Sequence, residues 1–201
     1  MGFLKKLFQP TSREPIIIVS GLPRSGTSMM MKMLEAGGIP PLTDEIREAD
    51  KDNPQGYYEF ERVKQLDKGD VAWLPQAKGK VVKIISALLK HLPADYDYRI
   101  IFMRRSMPEI LASQRKMLVR RGQSAYDMDD AAMAELFEKH LQSTIRWIDS
   151  QPNVVILYIH YNDILTDPIP QIERINEFLD GRLDESVMTQ VVDPALYRNR
   201  V

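Results

Sequence analysis

The sequence predicts a three-layer α/β fold, a parallel β-sheet flanked by helices, and three observations carry that expectation. Short solid apolar runs recur at Ile16-Ile17-Ile18-Val19, Val81-Val82-Lys83-Ile84-Ile85, Arg99-Ile100-Ile101-Phe102-Met103 and Val154-Val155-Ile156-Leu157-Tyr158. Between them lie stretches with helical spacing. The first run passes into its helix through a loop bracketed by Gly21 and Gly26. Strands that are apolar on both faces belong to a sheet covered on both sides, which is the habit of parallel sheets. The 201 residues suit one domain spanning 1–201, with residues 1–14 expected to form a flexible N-terminal tail.

The elements follow in order. Pro15 precedes the first strand and Gly21 stops it. Thr27 to Leu34 is rich in methionine and leucine and ends at Gly37-Gly38, a glycine cap, with Pro40-Pro41 preventing continuation. Met29, Met30, Met31 and Met33 are expected to fill the core beneath this helix. Residues 43–62 are polar and acidic, with turn signals at Asn53-Pro54-Gln55-Gly56, and read as a long loop of the kind that carries function. The third strand leads into Pro108, a favoured opening residue for a helix expected to reach about Arg121, where Gly122 ends it. Asp129 or Asp130 caps the next helix, whose apolar stripe is Met133, Leu136, Phe137, Leu141, Ile145 and Ile148. The fourth strand is followed by a helix over about Pro168 to Leu179. In such sheets ligands bind beyond the carboxyl ends of the strands, so the residues that follow each strand are where chemistry is expected.

Composition narrows the function classes. There are 27 Lys+Arg against 28 Asp+Glu, a net charge of -1, which gives no support for a nucleic-acid partner. The absence of cysteine removes disulfides, thiolate metal sites and Cys nucleophiles, and fits a reducing, cytoplasmic setting. His91, His140 and His160 are scattered, so no metal site is expected. His140 reads as a boundary packing residue and His160 as a structural hydrogen-bonding one. Trp73 and Trp147 read as packing residues. No apolar run approaches the roughly 18 residues that span a bilayer, so stable membrane insertion is not expected.

The loop Gly21-Leu22-Pro23-Arg24-Ser25-Gly26-Thr27-Ser28 has the GxxxxG spacing of a phosphate cradle. Its glycines let successive N–H groups turn toward an anion, and the helix that follows adds its positive end. The lysine that a nucleoside-triphosphatase carries after the second glycine is missing; Thr27 and Ser28 stand there. A cation lies inside the loop instead, as Arg24, whose planar fork suits an oxyanion. The third strand ends in Arg104-Arg105 where an ATPase often has a magnesium-binding acid. This argues for a second anionic group bound without a metal. Ser113, eight residues beyond Arg105, reaches the second turn of the helix and can face the same pocket.

These motifs resemble the sulfotransferase family. Pro23-Arg24-Ser25-Gly26-Thr27-Ser28 after the first strand is similar to that family's donor loop, and Arg105 with Ser113 is similar to its arginine–serine pair. Tyr158-Ile159-His160-Tyr161-Asn162-Asp163-Ile164-Leu165-Thr166-Asp167-Pro168, with Phe178-Leu179 beyond, is similar to its Tyr-Glu-Asp-Leu segment. The resemblance spans roughly residues 16 to 180 and points to a short, bacterial-type member. It implies a P-loop NTPase-like fold and the donor 3'-phosphoadenosine 5'-phosphosulfate, which leaves as adenosine 3',5'-bisphosphate (PAP), with no metal. By the same resemblance Pro23 to Ser28 hold the 5'-phosphosulfate, Arg24 and Lys83 neutralise the sulfuryl oxygens, and Arg105 and Ser113 bind the 3'-phosphate. The acceptor is a small molecule, a glycan or a lipid bearing a hydroxyl or amine.

The sequence departs from the cytosolic branch of that family at the catalytic base. Lys83 matches its lysine, but Ile85 stands where its histidine would be. Glu59 and Glu61, among Tyr57, Tyr58 and Phe60, are the candidate bases, because a carboxylate within reach can take the acceptor's proton. At the chain's end Arg198 or Arg200 stands where that branch has a basic segment. Two rival readings remain at this stage. A nucleotide kinase or NTPase predicts magnesium-dependent ATP binding; a non-catalytic relative predicts a nucleotide site without turnover. The charge is segregated: six basic residues and one acidic one between Arg104 and Arg121, against seven acidic and three basic between Asp44 and Arg62.

Overall fold

The structure, a computed structural model, describes residues 14–44, 56–120, 122 and 129–192. The expectations for the N-terminal tail, the turn at Asn53 to Gln55, most of the acidic run from Glu45 to Asp52, and Arg198 and Arg200 lie outside those residues.

Four strands form one sheet: β1 (Ile16–Gly21), β2 (Val81–Lys83), β3 (Tyr98–Arg104) and β4 (Val154–His160). Their order is β2-β1-β3-β4 and every pairing is parallel. Ile18 lies opposite Val82 on one side and Ile100 on the other, so β1 and β3 are central and carry the unbroken apolar runs. The helices are α1 (Thr27–Ala36), α2 (Met107–Arg120), α3 (Asp130–Ser150), α4 (Tyr161–Thr166), α5 (Pro168–Phe178) and α6 (Glu185–Val191). Short 3-10 segments cover Glu61–Lys68, Leu74–Ala77 and Ser86–His91.

The side-chain alternation of the central strands divides the core into two layers. Ile17, Val19, Ile101 and Met103 pack with Met30, Met31 and Met33 of α1, Ile172 and Ile175 of α5, and Met188 of α6. Ile16, Ile18, Ile100 and Phe102 pack on the other face with Trp73, Leu89 and Ile148. Each fully buried side chain of this size is worth about 1.5–3 kcal/mol of transfer free energy. The methionines of α1 thus take the expected core role, with Met29 only partly buried at its edge.

Four elements differ from the sequence reading, each for a physical reason. The second strand stops at Lys83: Ile84 N still donates to Val19 O (3.0 Å), but Ile85 is the cap of a 3-10 turn. β4 continues to His160 and is an edge strand, so several of its residues are half-buried although its sequence is as apolar as β3. The short helices α4 and α6 lie where no periodicity long enough to read exists. The cap of α3 falls where expected, and α6 has one of the same kind. Asp129 accepts a hydrogen bond from Ala132 N (2.7 Å) to open α3, and Asp184 accepts from Ser186 N and Val187 N to open α6.

At the amino-terminal end of the sheet, buried Arg99 donates from Nη1 to Asp180 Oδ2 (2.6 Å) and to Phe178 O (3.1 Å). This fastens the end of α5 to β3. No helix among the described residues is long and apolar enough to cross a membrane.

Candidate active site

The carboxyl end of β1 turns into α1 through residues 21–26, and the turn depends on two glycines. A Cβ on Gly21 would come within 2.5 Å of Ser25 Oγ and 2.7 Å of Met103 O. Gly26 has φ 100°, and a Cβ there would come within 2.4 Å of the Tyr161 ring. The loop can therefore lie this close to β3 and α4 only with glycine at both positions. Gly26 occupies the N-cap position of α1 and offers no side-chain cap. A helix start without a side-chain cap is the kind of terminus at which anions bind.

Ser25 is 1% exposed, and its Oγ is buried without a hydrogen-bond partner. A buried hydroxyl left so is costly, and a ligand that accepted its hydrogen bond would relieve the cost. Arg24, at φ 70°, is one of the described non-glycine residues in left-handed backbone. The loop expected to hold an anion thus carries an arginine in left-handed backbone, a buried hydroxyl and a helix start without a side-chain cap.

The second predicted cluster converges on this loop. Arg24 Nε donates to Ser113 Oγ on α2 (2.9 Å), across 89 residues of sequence. Arg105 Nη1 donates to Arg24 O (3.2 Å), and its guanidinium lies 4.5 Å from the Tyr161 ring centroid. Arg105 Nε donates to Glu109 Oε2 at 2.7 Å, with the two side chains 7% and 5% exposed. Asn162 Nδ2 donates to the other oxygen of Glu109 (3.0 Å). Arg104 takes a different course, exposed and stacked on Tyr158 with 5.4 Å to the centroid. Of the two arginines after β3, Arg105 is the one built into the site.

Glu109, Tyr161 and Asn162 escaped the sequence reading as site residues. Glu109 stands four residues after Arg105, the helical ion-pair spacing, and that was the available signal. Tyr161 and Asn162 lie inside the segment used for the family resemblance and directly follow β4, where ligand-end residues are expected.

Lys83 closes β2 in register with Val19, two residues before Gly21. It therefore reaches the same end of the sheet as the loop. Glu59 and Glu61 are held beside this edge by the segment that follows α1. Leu42 N donates to Val81 O (2.8 Å), Thr43 Oγ1 donates to Glu59 O (2.8 Å), and Glu61 N donates to Asp44 Oδ2 (2.6 Å). Both carboxylates meet Lys64, at 3.2 Å from Glu59 and 2.6 Å from Glu61. The hydrogen bond from Lys64 to Glu61 is the main reason the lysine's pKa is raised. Phe60, between them, packs edge-on against buried Trp73 at 5.6 Å, so Trp73 is core beneath the acidic loop.

His140 is more than a boundary residue. Its Nε2 lies 2.8 Å from the hydroxyl of Ser86, at the start of the 3-10 turn after β2, and 3.5 Å from Thr144 Oγ1. Burial, with Lys90 adding to it, pushes its pKa below the ordinary histidine value.

Comparison with known proteins gives the same direction. The family model described as sulfotransferase domain matches residues 14–199. No curated protein matches. Among solved structures, the sulfotransferase domain of the Synechococcus PCC 7002 olefin synthase is 18% identical, with 98% of this chain and 92% of that one covered and a TM-score of 0.54. The sulfotransferase domain from the curacin biosynthetic pathway is 17% identical over 90% of this chain and 79% of that one, with a TM-score of 0.52. Mouse sulfotransferase SULT7A1, complexed with PAP, is 19% identical over 90% of this chain and 63% of that one, with a TM-score of 0.51. At these identities the likeness is one of fold.

Proposed function

The chain belongs to the sulfotransferase domain family, and from that premise we propose that it moves a sulfuryl group from 3'-phosphoadenosine 5'-phosphosulfate to a hydroxyl or amine of a small acceptor. The observation that carries this reading is the bond between Arg24 and Ser113, which joins the glycine loop to the arginine–serine cluster across the sheet. Two anion-binding groups of the right kind then lie side by side, as a donor with phosphate groups at both ends of its ribose requires. The buried, partnerless hydroxyl of Ser25 and the uncapped start of α1 fit the 5'-phosphosulfate end.

The donor supplies an activated sulfuryl group; the protein's work is positioning and charge stabilisation. In this reading the N–H groups from Ser25 to Ser28 and the hydroxyls of Thr27 and Ser28 hold the phosphosulfate. Arg24 and Lys83 lie against the oxygens on which charge grows as the acceptor's oxygen or nitrogen bonds to sulfur and the bond from sulfur to the phosphate oxygen breaks. Ser113 and Arg105 hold the 3'-phosphate, with Glu109 fixing the guanidinium. Glu59 or Glu61 takes the acceptor's proton. Lys64 bridges both carboxylates and must turn aside from whichever one acts. The reaction is expected in the cytoplasm, with no metal.

Titration calorimetry with PAP and with ATP–magnesium tests the donor assignment. PAP binding at least about 100-fold tighter, a difference of about 2.7 kcal/mol, is the expected result. Tighter binding of ATP–magnesium would instead support the kinase reading.

A further inference from the structure

We propose that the cavity formed by α5 with β3 and β4 is a second ligand site, and that it takes a free α-amino acid with an apolar side chain. The cavity has a volume of about 360 Å³ and is lined by Arg99, Leu157, Arg174, Glu177, Phe178 and Asp180. Small-molecule sites have this size and this mixture of apolar wall and a few charged groups. It is separate from the glycine loop. Arg99 stands four residues before Met103 on β3, and Met103 lies opposite Gly21. About 13 Å of strand therefore lies between them. Binding in the cavity is independent of which reaction occurs at the loop.

The floor and wall come from one face of the sheet. Arg99 alternates onto the same face as Ile101, the face that α5 covers, and Leu157 and Phe178 pack half-buried against that layer. Arg99 is 8% exposed, and its Nη1 is held by Asp180 Oδ2 and Phe178 O. Asp180 stands in left-handed backbone at φ 67°, which a non-glycine residue adopts at a cost. The Arg99–Asp180 pair is thus committed to the fold. Its two charges offset one another, and it fixes the shape of the floor.

The rim carries the remaining charges. Arg174 and Glu177 are exposed and stand three residues apart on α5, the spacing of a helical ion pair. Among the described residues no ion pair joins them. Arg174 turns toward the helix start instead, where Nη1 donates to Gln171 Oε1 (2.7 Å) and Nη2 donates to Tyr158 O on β4 (3.2 Å). A guanidinium has more N–H donors than these two bonds use, so the fork keeps donors for a carboxylate. Glu177 offers a carboxylate to an ammonium group. An α-amino acid carries both of these charges on one carbon, so it can bridge two helix residues whose Cβ atoms are about 5–6 Å apart. A simple anion would meet Arg174 but be repelled by Glu177, and a simple cation would meet the reverse. An apolar side chain on the ligand would lie on Leu157 and Phe178 and remove apolar surface from water.

The test is titration calorimetry of the whole chain with L-leucine, glycine, isoamylamine and isocaproate. Isoamylamine is leucine without its carboxylate, and isocaproate is leucine without its ammonium group. L-leucine should bind about tenfold or more tightly than glycine, which lacks the apolar body. It should exceed isoamylamine and isocaproate by about tenfold or more, because each leaves one rim charge unmet. Adding PAP to saturation should leave leucine binding in place. Glu177→Gln should weaken leucine about tenfold with an unchanged thermal unfolding midpoint, which reports that the variant is folded. Arg174→Gln should do the same; should it lower the midpoint through its lost bond to β4, the Glu177 variant decides. The proposal is overturned if leucine does not bind at about 10 mM. It is also overturned if PAP abolishes leucine binding, if glycine or either analogue matches leucine, or if Glu177→Gln has no effect.

Discussion

Arg24 holds two positions at once, a left-handed backbone inside the glycine loop and a hydrogen bond to the serine of the neighbouring cluster. If it stabilises charge during transfer, Arg24→Ala should lower kcat/KM by about 10²–10³-fold, the usual effect of removing one preorganised donor. Arg24→Lys should restore part of that loss, because it keeps the charge and loses the fork. Steady-state kinetics of both variants beside the parent checks this. Gly26 is constrained by its neighbour: Gly26→Ala puts a methyl into the Tyr161 ring at a backbone angle that alanine resists. A loss of about 2 kcal/mol in urea unfolding is expected, together with weakened PAP binding. Glu109 is constrained by its charge. It lies buried against Arg105, so Glu109→Ala leaves an uncompensated guanidinium and should cost about 3 kcal/mol. Glu109→Gln, which keeps an acceptor for Arg105, should cost less in the same denaturation experiment.

At the scale of elements, the tie between the 3-10 turn after β2 and α3 gives the pH dependence. The His140 pKa is lowered in the fold, first by burial and then by Lys90. The unfolded chain therefore binds this proton more readily, and stability falls as pH drops below the model-peptide value of 6.5 toward the lowered folded value. Below the folded value this contribution flattens. Thermal unfolding from neutral to mildly acidic pH should show that decline in the parent and a smaller one in His140→Gln. The same tie shows what the sequence could and could not reveal. The runs at Ile16 and Ile100 were legible as strands because a central parallel strand is apolar on both faces. The run at Val154 looked identical, yet it is an edge, since neighbours in the sheet leave no mark on a strand's own composition. The end of β2 was unreadable because Ile84 and Ile85 are good strand residues that a tertiary contact diverts into a turn. His140 was read as packing because its partner, Ser86, lies 54 residues away. The turn from Gly21 to the start of α1 was legible, since it depends on local glycines. The network of Glu109, Tyr161 and Asn162 behind it required three elements to meet.

For the whole molecule, the sheet order places the ends of β1, β2 and β3 side by side, and the proposed chemistry needs all three. β1 brings the glycine loop, β3 brings Arg105 and the helix bearing Ser113, and β2 brings Lys83. The neutral sum of charges conceals this, because the basic residues gather after β3 and the acidic ones around Glu59 and Glu61. The account stands on one consequence of that arrangement, transfer of a sulfuryl group. The direct measurement is incubation of the purified chain with sulfur-radiolabelled 3'-phosphoadenosine 5'-phosphosulfate and a panel of alcohols, phenols, amines and glycans, with products identified by mass spectrometry. The account predicts label in a sulfated acceptor, absent with Arg24→Ala and undiminished when magnesium is chelated. Intact PAP binding with no label passing to any acceptor would contradict it.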